Sequence, residues 1–233
     1  MAPTRSKTKQ STTRRIIAAR IGRLKRYMDE LYPTVRKRKR LPALDELILT
    51  ILSQNTSDSN SLGAFEKLKR KFPSWDEVAK ADVGRIIETI RAGGLAEQKA
   101  PRIKAILNEV HVEHGAYDLE HLRDMTLDDG LEYLLHFNGV GLKTASCVML
   151  FSLGKPAFPV DTHILRVSRR LGIIGAKDSA EKASQIYRQH TNPGDRYKFH
   201  MDIIHFGREI CHSRKPECDI CKLIKSCLFH TGL

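Results

Sequence analysis

Four of the chain's five cysteines fall between Cys211 and Cys227, in the spacing C-x6-C-x2-C-x5-C. Thiolates this close in sequence serve one centre, and thiolate donors select zinc or iron–sulfur clusters. Structural zinc normally pairs two short knuckles. Here only Cys218 and Cys221 form a CxxC, and the outer spacings are wider. The expected occupant is a [4Fe–4S] cluster held by Cys211, Cys218, Cys221 and Cys227, with zinc as the alternative. Between the first two ligands stand His212, Arg214 and Lys215. A loop pinned at both ends with cations at its tip is a rigid phosphate-binding finger, unless those cations serve only solubility. The fifth cysteine, Cys147, lies in an apolar run and reads as a small buried hydrophobe.

The remainder of the chain reads as helix. Apolar residues recur at helical spacing at Ile17, Ile21, Leu24, Met28 and Leu31, and Tyr32-Pro33 stops that segment. Residues 1–13 are polar and basic and are expected to form a disordered tail. Leu44 to Ser53 is a buried helix, followed by the polar turn Gln54-Asn55-Thr56-Ser57-Asp58. Later caps and breaks are Asp82, Gly93-Gly94, Gly115, Gly172 and Ser179. No alternating run is long enough to build a sheet, so the expected class is all-α.

Charge narrows the partner. Forty Lys and Arg against 27 Asp and Glu give a net +13. That excess suits a polyanion, most often nucleic acid. The run Arg36–Arg40 is either a solvated loop or a phosphate contact. No apolar run approaches a membrane span. The N-terminus lacks a secretory core, and a basic arm is a simpler reading of it than a transit peptide.

The stretch from Phe137 to His163 carries the chemistry. Gly139-Val140-Gly141 lets the backbone turn sharply and present its amides, together with those of the following helix, to a phosphate. The same triplet also serves as a plain helix–helix turn. The GLKT that follows lacks the spacing and the strand of a nucleotide P-loop. Lys143 is the first polar side chain after the turn. By base rate a lysine is a solvated charge, but an amine in a desolvated, cationic site becomes a nucleophile. Asp161, in PVDTH, is a good helix N-cap and also a carboxylate able to handle the amine's protons.

The combination of NGVGLKTA, PVDTH and the cysteine spacing resembles the endonuclease III group of helix–hairpin–helix (HhH-GPD) DNA glycosylases, over roughly Leu41 to Cys227. The resemblance implies a six-helix barrel domain at 43–155 containing the hairpin, and a [4Fe–4S] domain built from 14–42 and 156–233. It places a DNA-binding cleft between them. It implies that Lys143 attacks the sugar, that Asp161 assists, and that the Schiff base breaks down by β-elimination. It adds Gln54, in LSQNTSD, and Leu95, in GGLAEQKA, as the residues that fill the gap when a nucleotide is flipped out. Read without the family, these are a turn residue and a loop hydrophobe.

The implied function is a monomeric bifunctional DNA glycosylase/AP lyase of base excision repair, acting on oxidised pyrimidines in damaged or abasic duplex DNA. Its place would be the cytoplasm of a prokaryote, or the nucleus or mitochondrion of a eukaryote. Many members have proline where this chain has Asn138, which alters the rigidity of the turn. The stretch EYLLHFNGVGLKTASCVMLF with AFPVDTH also resembles plant 5-methylcytosine demethylases. Alternatives are therefore a thymine/uracil mismatch or 5-methylcytosine glycosylase, or a non-catalytic iron–sulfur DNA-binding protein. The adenine-removing branch lacks a lysine at the position of Lys143 and carries an extra C-terminal domain, so the sequence argues against it.

Overall fold

In a computed structural model of the chain, the backbone is described for residues 4–34 and 38–232 and the side chains for 12–34 and 38–232. Among these residues there are helices, turns and loops and no strand. The chain divides into two compact units, residues 39–155 and residues 1–38 with 156–233.

The contiguous unit holds α2 (Ala43–Leu52), α3 (Asp58–Lys71), α4 (Trp75–Lys80), α5 (Val83–Ile90), α6 (Ala96–His114), α7 (Leu127–His136) and α8 (Leu142–Cys147). Helix α2 is its hub. Nine of the ten residues in α2 are buried, and it packs on α3, α6 and α8. Asp45 and Glu46 stand in its first turn, and from Leu47 it is apolar but for Thr50. Ser57 caps α3 by accepting from the Asn60 amide, and Asp82 caps α5 by accepting from the Gly84 amide. Gly115, in the left-handed region, ends α6. Helix α8 continues into one π-helical turn, Val148–Ser152.

The second unit is assembled from both ends of the chain. It contains α1 (Thr4–Leu31), α9 (Thr162–Arg170), α10 (Ala180–His190), α11 (Arg196–Glu209) and the short α12 (Leu228–Thr231). Its core includes Leu24 and Met28 of α1, Phe158, Ile164 and Val167, Tyr187 of α10, and Phe199, Ile203 and Phe206 of α11. Phe158 stacks on Tyr187, with ring centroids 4.3 Å apart. Cys211, Cys221 and Cys227 pack against this core.

One boundary differs from the sequence reading. Helix α1 starts at Thr4, so residues 4–13, expected to be disordered, continue the helix. No Gly or Pro falls within residues 4–13, and Lys, Arg and Gln are good helix formers. Composition alone did not show that an amphipathic helix behind the tail would extend into it. Arg36 and Lys37 of the basic run lie outside the described residues, whereas Arg38, Lys39 and Arg40 are exposed.

Candidate active site

In the contiguous unit, Lys143 and Gln54 stand at the hairpin between α7 and α8. Gly139 has φ +78°, and a Cβ there would collide with the Arg102 guanidinium. The positive φ favours glycine at this position, and any larger residue would also displace the Arg102 side chain. The Val140 amide donates to the Phe137 carbonyl at 3.0 Å, closing the turn. The Val140 side chain is buried. Val140 thus builds the turn, and the outward groups at the tip are Gly139 and Gly141. Gly141 is the N-cap of α8, and its carbonyl accepts from the Ala145 amide. The first amides of α8 are the unpaired donors every helix start presents.

Lys143 stands in the first turn of α8, half-buried. No carboxylate of its own unit is ion-paired to it among the described residues. Gln54 reaches the same hairpin. Its Nε2 lies 3.4 Å from the Gly139 carbonyl and 3.4 Å from Thr144 Oγ1. Its Oε1 accepts from Arg102 Nη1 at 3.0 Å. Leu95 is 42% exposed and left-handed at φ +51°. A bulky side chain held exposed in a conformation that L-residues avoid indicates a position fixed by its surroundings.

Sequence reading missed Arg102 and Lys99, both on α6. Lys99 is 1% exposed, and its Nζ donates to the Leu52 carbonyl at 2.6 Å and to the Gly93 carbonyl at 2.8 Å. Burial holds its pKa below the ordinary lysine value. A signal did exist: Lys99 occupies the apolar stripe of Ala96, Ala100, Ile103, Ile106 and Val110. A cation at a core position is informative in a way that an exposed one is not.

In the second unit, Asp161 is the N-cap of α9. Its Oδ1 accepts from the Ile164 amide at 2.8 Å, which leaves the other oxygen for other work. The same helix anchors the cysteine loop. Arg166 donates through Nε to the Cys211 carbonyl at 3.0 Å and through Nη2 to the Gly207 carbonyl at 2.7 Å. Arg170 donates to Cys211 Sγ at 3.3 Å and to the carbonyls of His212 and Ser213 at 2.6 and 3.1 Å. Its guanidinium also lies 4.2 Å from the Phe229 ring. Arg214 and Lys215 are exposed at the loop's tip, with Lys215 left-handed at φ +49°.

Cys211, Cys218, Cys221 and Cys227 line a single cavity. No three Cys, His, Asp or Glu side chains among the described residues converge as a single-ion site requires. Burial, then the neighbouring thiols, push the Cys218 thiol up, and burial does the same for Cys221. Four soft donors lining one space fit a thiolate-held metal centre.

Comparison with known proteins agrees with this architecture. The model of the HhH-GPD superfamily of base excision DNA repair proteins matches residues 48–193. An Arabidopsis thaliana protein provisionally named a DNA glycosylase is 40% identical over 173 residues, covering 74% of this chain and 58% of that one. The Arabidopsis DNA glycosylase/AP lyase ROS1 is 34% identical over 171 residues, 66% of this chain and 12% of its own. The chain therefore spans well under two thirds of these plant relatives. Endonuclease III of Sulfolobus acidocaldarius is 34% identical over 189 residues, 79% of this chain and 81% of that one. A solved trapped endonuclease III–DNA covalent intermediate superposes with TM-score 0.81 at 25% identity, covering 92% of this chain and 97% of the other. The hairpin, the capped carboxylate and these matches together establish that the chain belongs to the endonuclease III family of the HhH-GPD superfamily of base excision DNA repair proteins.

Proposed function

We propose that this chain is a bifunctional DNA glycosylase/AP lyase that removes oxidised pyrimidines from duplex DNA. One observation carries the reading: Lys143 is a half-buried amine in the first turn behind a glycine turn whose tip offers backbone donors. The hairpin holds a backbone phosphate, which brings the sugar to the amine. The Lys143 lone pair forms a bond to C1′ as the C1′–N bond breaks, and the base leaves with that electron pair and a proton. The nitrogen then forms a second bond to C1′ as the C1′–O4′ bond breaks and O4′ takes the amine proton, opening the sugar to a Schiff base. Removal of a C2′ proton then expels the 3′ phosphate, nicking the strand. Asp161 handles the amine's protons through the oxygen not engaged in its cap. Gln54 and Leu95 occupy the gap left by the flipped nucleotide. Arg214 and Lys215 hold a second phosphate.

The cluster reading is part of the same proposal. The four cysteines would hold a [4Fe–4S] centre whose contribution is structural: it cross-links the loop that carries Arg214 and Lys215. The substrate places the protein with the cell's DNA, acting as a monomer.

The test is borohydride trapping on duplexes carrying an abasic site or thymine glycol. Wild type is expected to give a covalent adduct and Lys143→Ala none. An equal adduct from Lys143→Ala, or none from wild type, overturns the assignment. The resemblance of the stretch EYLLHFNGVGLKTASCVMLF to plant 5-methylcytosine demethylases supports a second reading in which the removed base is 5-methylcytosine or a mismatched thymine. Turnover of 5-methylcytosine or T·G duplex faster than thymine glycol would select it.

A further inference from the structure

Helix α6 holds two separate loops with a single buried amine. The carbonyl of Leu52 belongs to the last residue of α2, and that of Gly93 to the last residue of the short 3₁₀ segment before α6. Both are chain-end carbonyls without a helical partner, and Lys99 donates to both. Two residues beyond the first stands Gln54, and two beyond the second stands Leu95. Each segment then enters the left-handed region at a residue other than glycine, Asn55 at φ +54° and Leu95 at φ +51°. One helical turn further, Arg102 fixes the Gln54 side chain itself. Lys99 satisfies both carbonyls, but only by burying a cation that lacks a carboxylate partner, so the arrangement is a costly way to gain stability. A flexible amine that spans two carbonyls sets the distance between the segments that carry them.

We propose that Lys99 is a positioning residue that holds the Gln54 and Leu95 loops in one register, so that the two side chains enter the duplex as a coupled pair. This rests on the reading of Gln54 and Leu95 as gap-filling residues.

The test is a double-mutant cycle on binding to a duplex carrying a tetrahydrofuran abasic analogue, with 2-aminopurine opposite it to report the orphaned base. With Lys99 present, Gln54→Ala and Leu95→Ala should each weaken binding, and the double variant should fall short of the product of the two losses by about fivefold or more. In a Lys99→Met background the losses should multiply, to within about twofold. A merely structural role would weaken all four proteins alike and leave the coupling intact. Coupling that survives Lys99→Met, or is absent in wild type, overturns the proposal. If Lys99→Met fails to fold, amide exchange in the wild type decides: the loops around Gln54 and Leu95 should open at one rate and gain protection together on binding, and independent rates overturn it. Wild-type protein that neither binds this duplex nor gives a borohydride adduct sinks the proposed function itself, whereas binding with simple multiplication sinks only the role of Lys99.

Discussion

Asp161 performs two tasks that substitution can separate. Its Oδ1 caps α9 through the Ile164 amide. Asparagine caps a helix about as well as aspartate, whereas alanine costs about 1 kcal/mol. Asp161→Asn should therefore keep the wild-type melting temperature and lose adduct formation, while Asp161→Ala should lose both. If Asp161→Asn is fully active in single-turnover trapping, the carboxylate is a cap and nothing more. The cap itself was legible, because Asp before a helical run is a local signal. So were Ser57, Asp82, Gly115 and Ser179, which cap or end the helices expected of them. Arg102 was not, because its partner Gln54 lies 48 residues away; Lys99 could be seen to occupy a core position, but not that Leu52, 47 residues away, accepts from it. Only the fold brings those partners together. Val140 shows the opposite limit. The motif was visible, but which of its three residues faces outward depends on the core beneath it.

At the scale of elements, the hairpin and the aromatic seam behind it give two further expectations. Gly139→Ala places a side chain where φ is +78° and where Arg102 already stands. The left-handed conformation alone costs about 1–2 kcal/mol. For a chain of this length each kcal/mol lowers the melting temperature by roughly 2–4 °C. The displaced Arg102 should also release Gln54, so binding to abasic duplex should weaken further than the melting shift accounts for.

Behind the hairpin, α6 and α7 trap His121 between His114, at a ring distance of 4.0 Å, and Tyr133, at 4.9 Å. Burial and then the His114 charge hold the His121 pKa below the ordinary 6.5, against the opposing pull of Asp118 and Glu113. A histidine whose folded pKa is depressed takes up its proton more readily when unfolded. Its contribution is therefore present above pH 6.5 and is lost as pH falls below that value, levelling off beneath the folded pKa. Between pH 7 and pH 5, His121→Phe should lose less melting temperature than wild type. Parallel curves would show that His121 is not the group responsible.

The whole molecule carries +13, and the expected consequence is binding that weakens steeply with salt. Arg214 is an exposed cation on a loop that Arg166 and Arg170 tie to α9. If it holds a phosphate, Arg214→Ala should lower the slope of log K against log salt by about one, equally for damaged and undamaged duplex. An unchanged slope would return that charge to solubility. The two units each have their own core, and only one of them contains the four clustered cysteines. Purified protein should be brown, and loss of the cluster by oxidation or by Cys221→Ser should bleach it. Cys221 packs on the core that α1, α9 and α11 share, so bleaching should remove amide protection first around residues 156–233 and α1. Protection in α2 and α6, whose burial owes nothing to the cysteines, should persist. Colourless, zinc-loaded protein that traps DNA as well as wild type would replace the cluster with zinc. Simultaneous loss of protection in both units would mean that the centre supports the entire chain rather than the finger it pins.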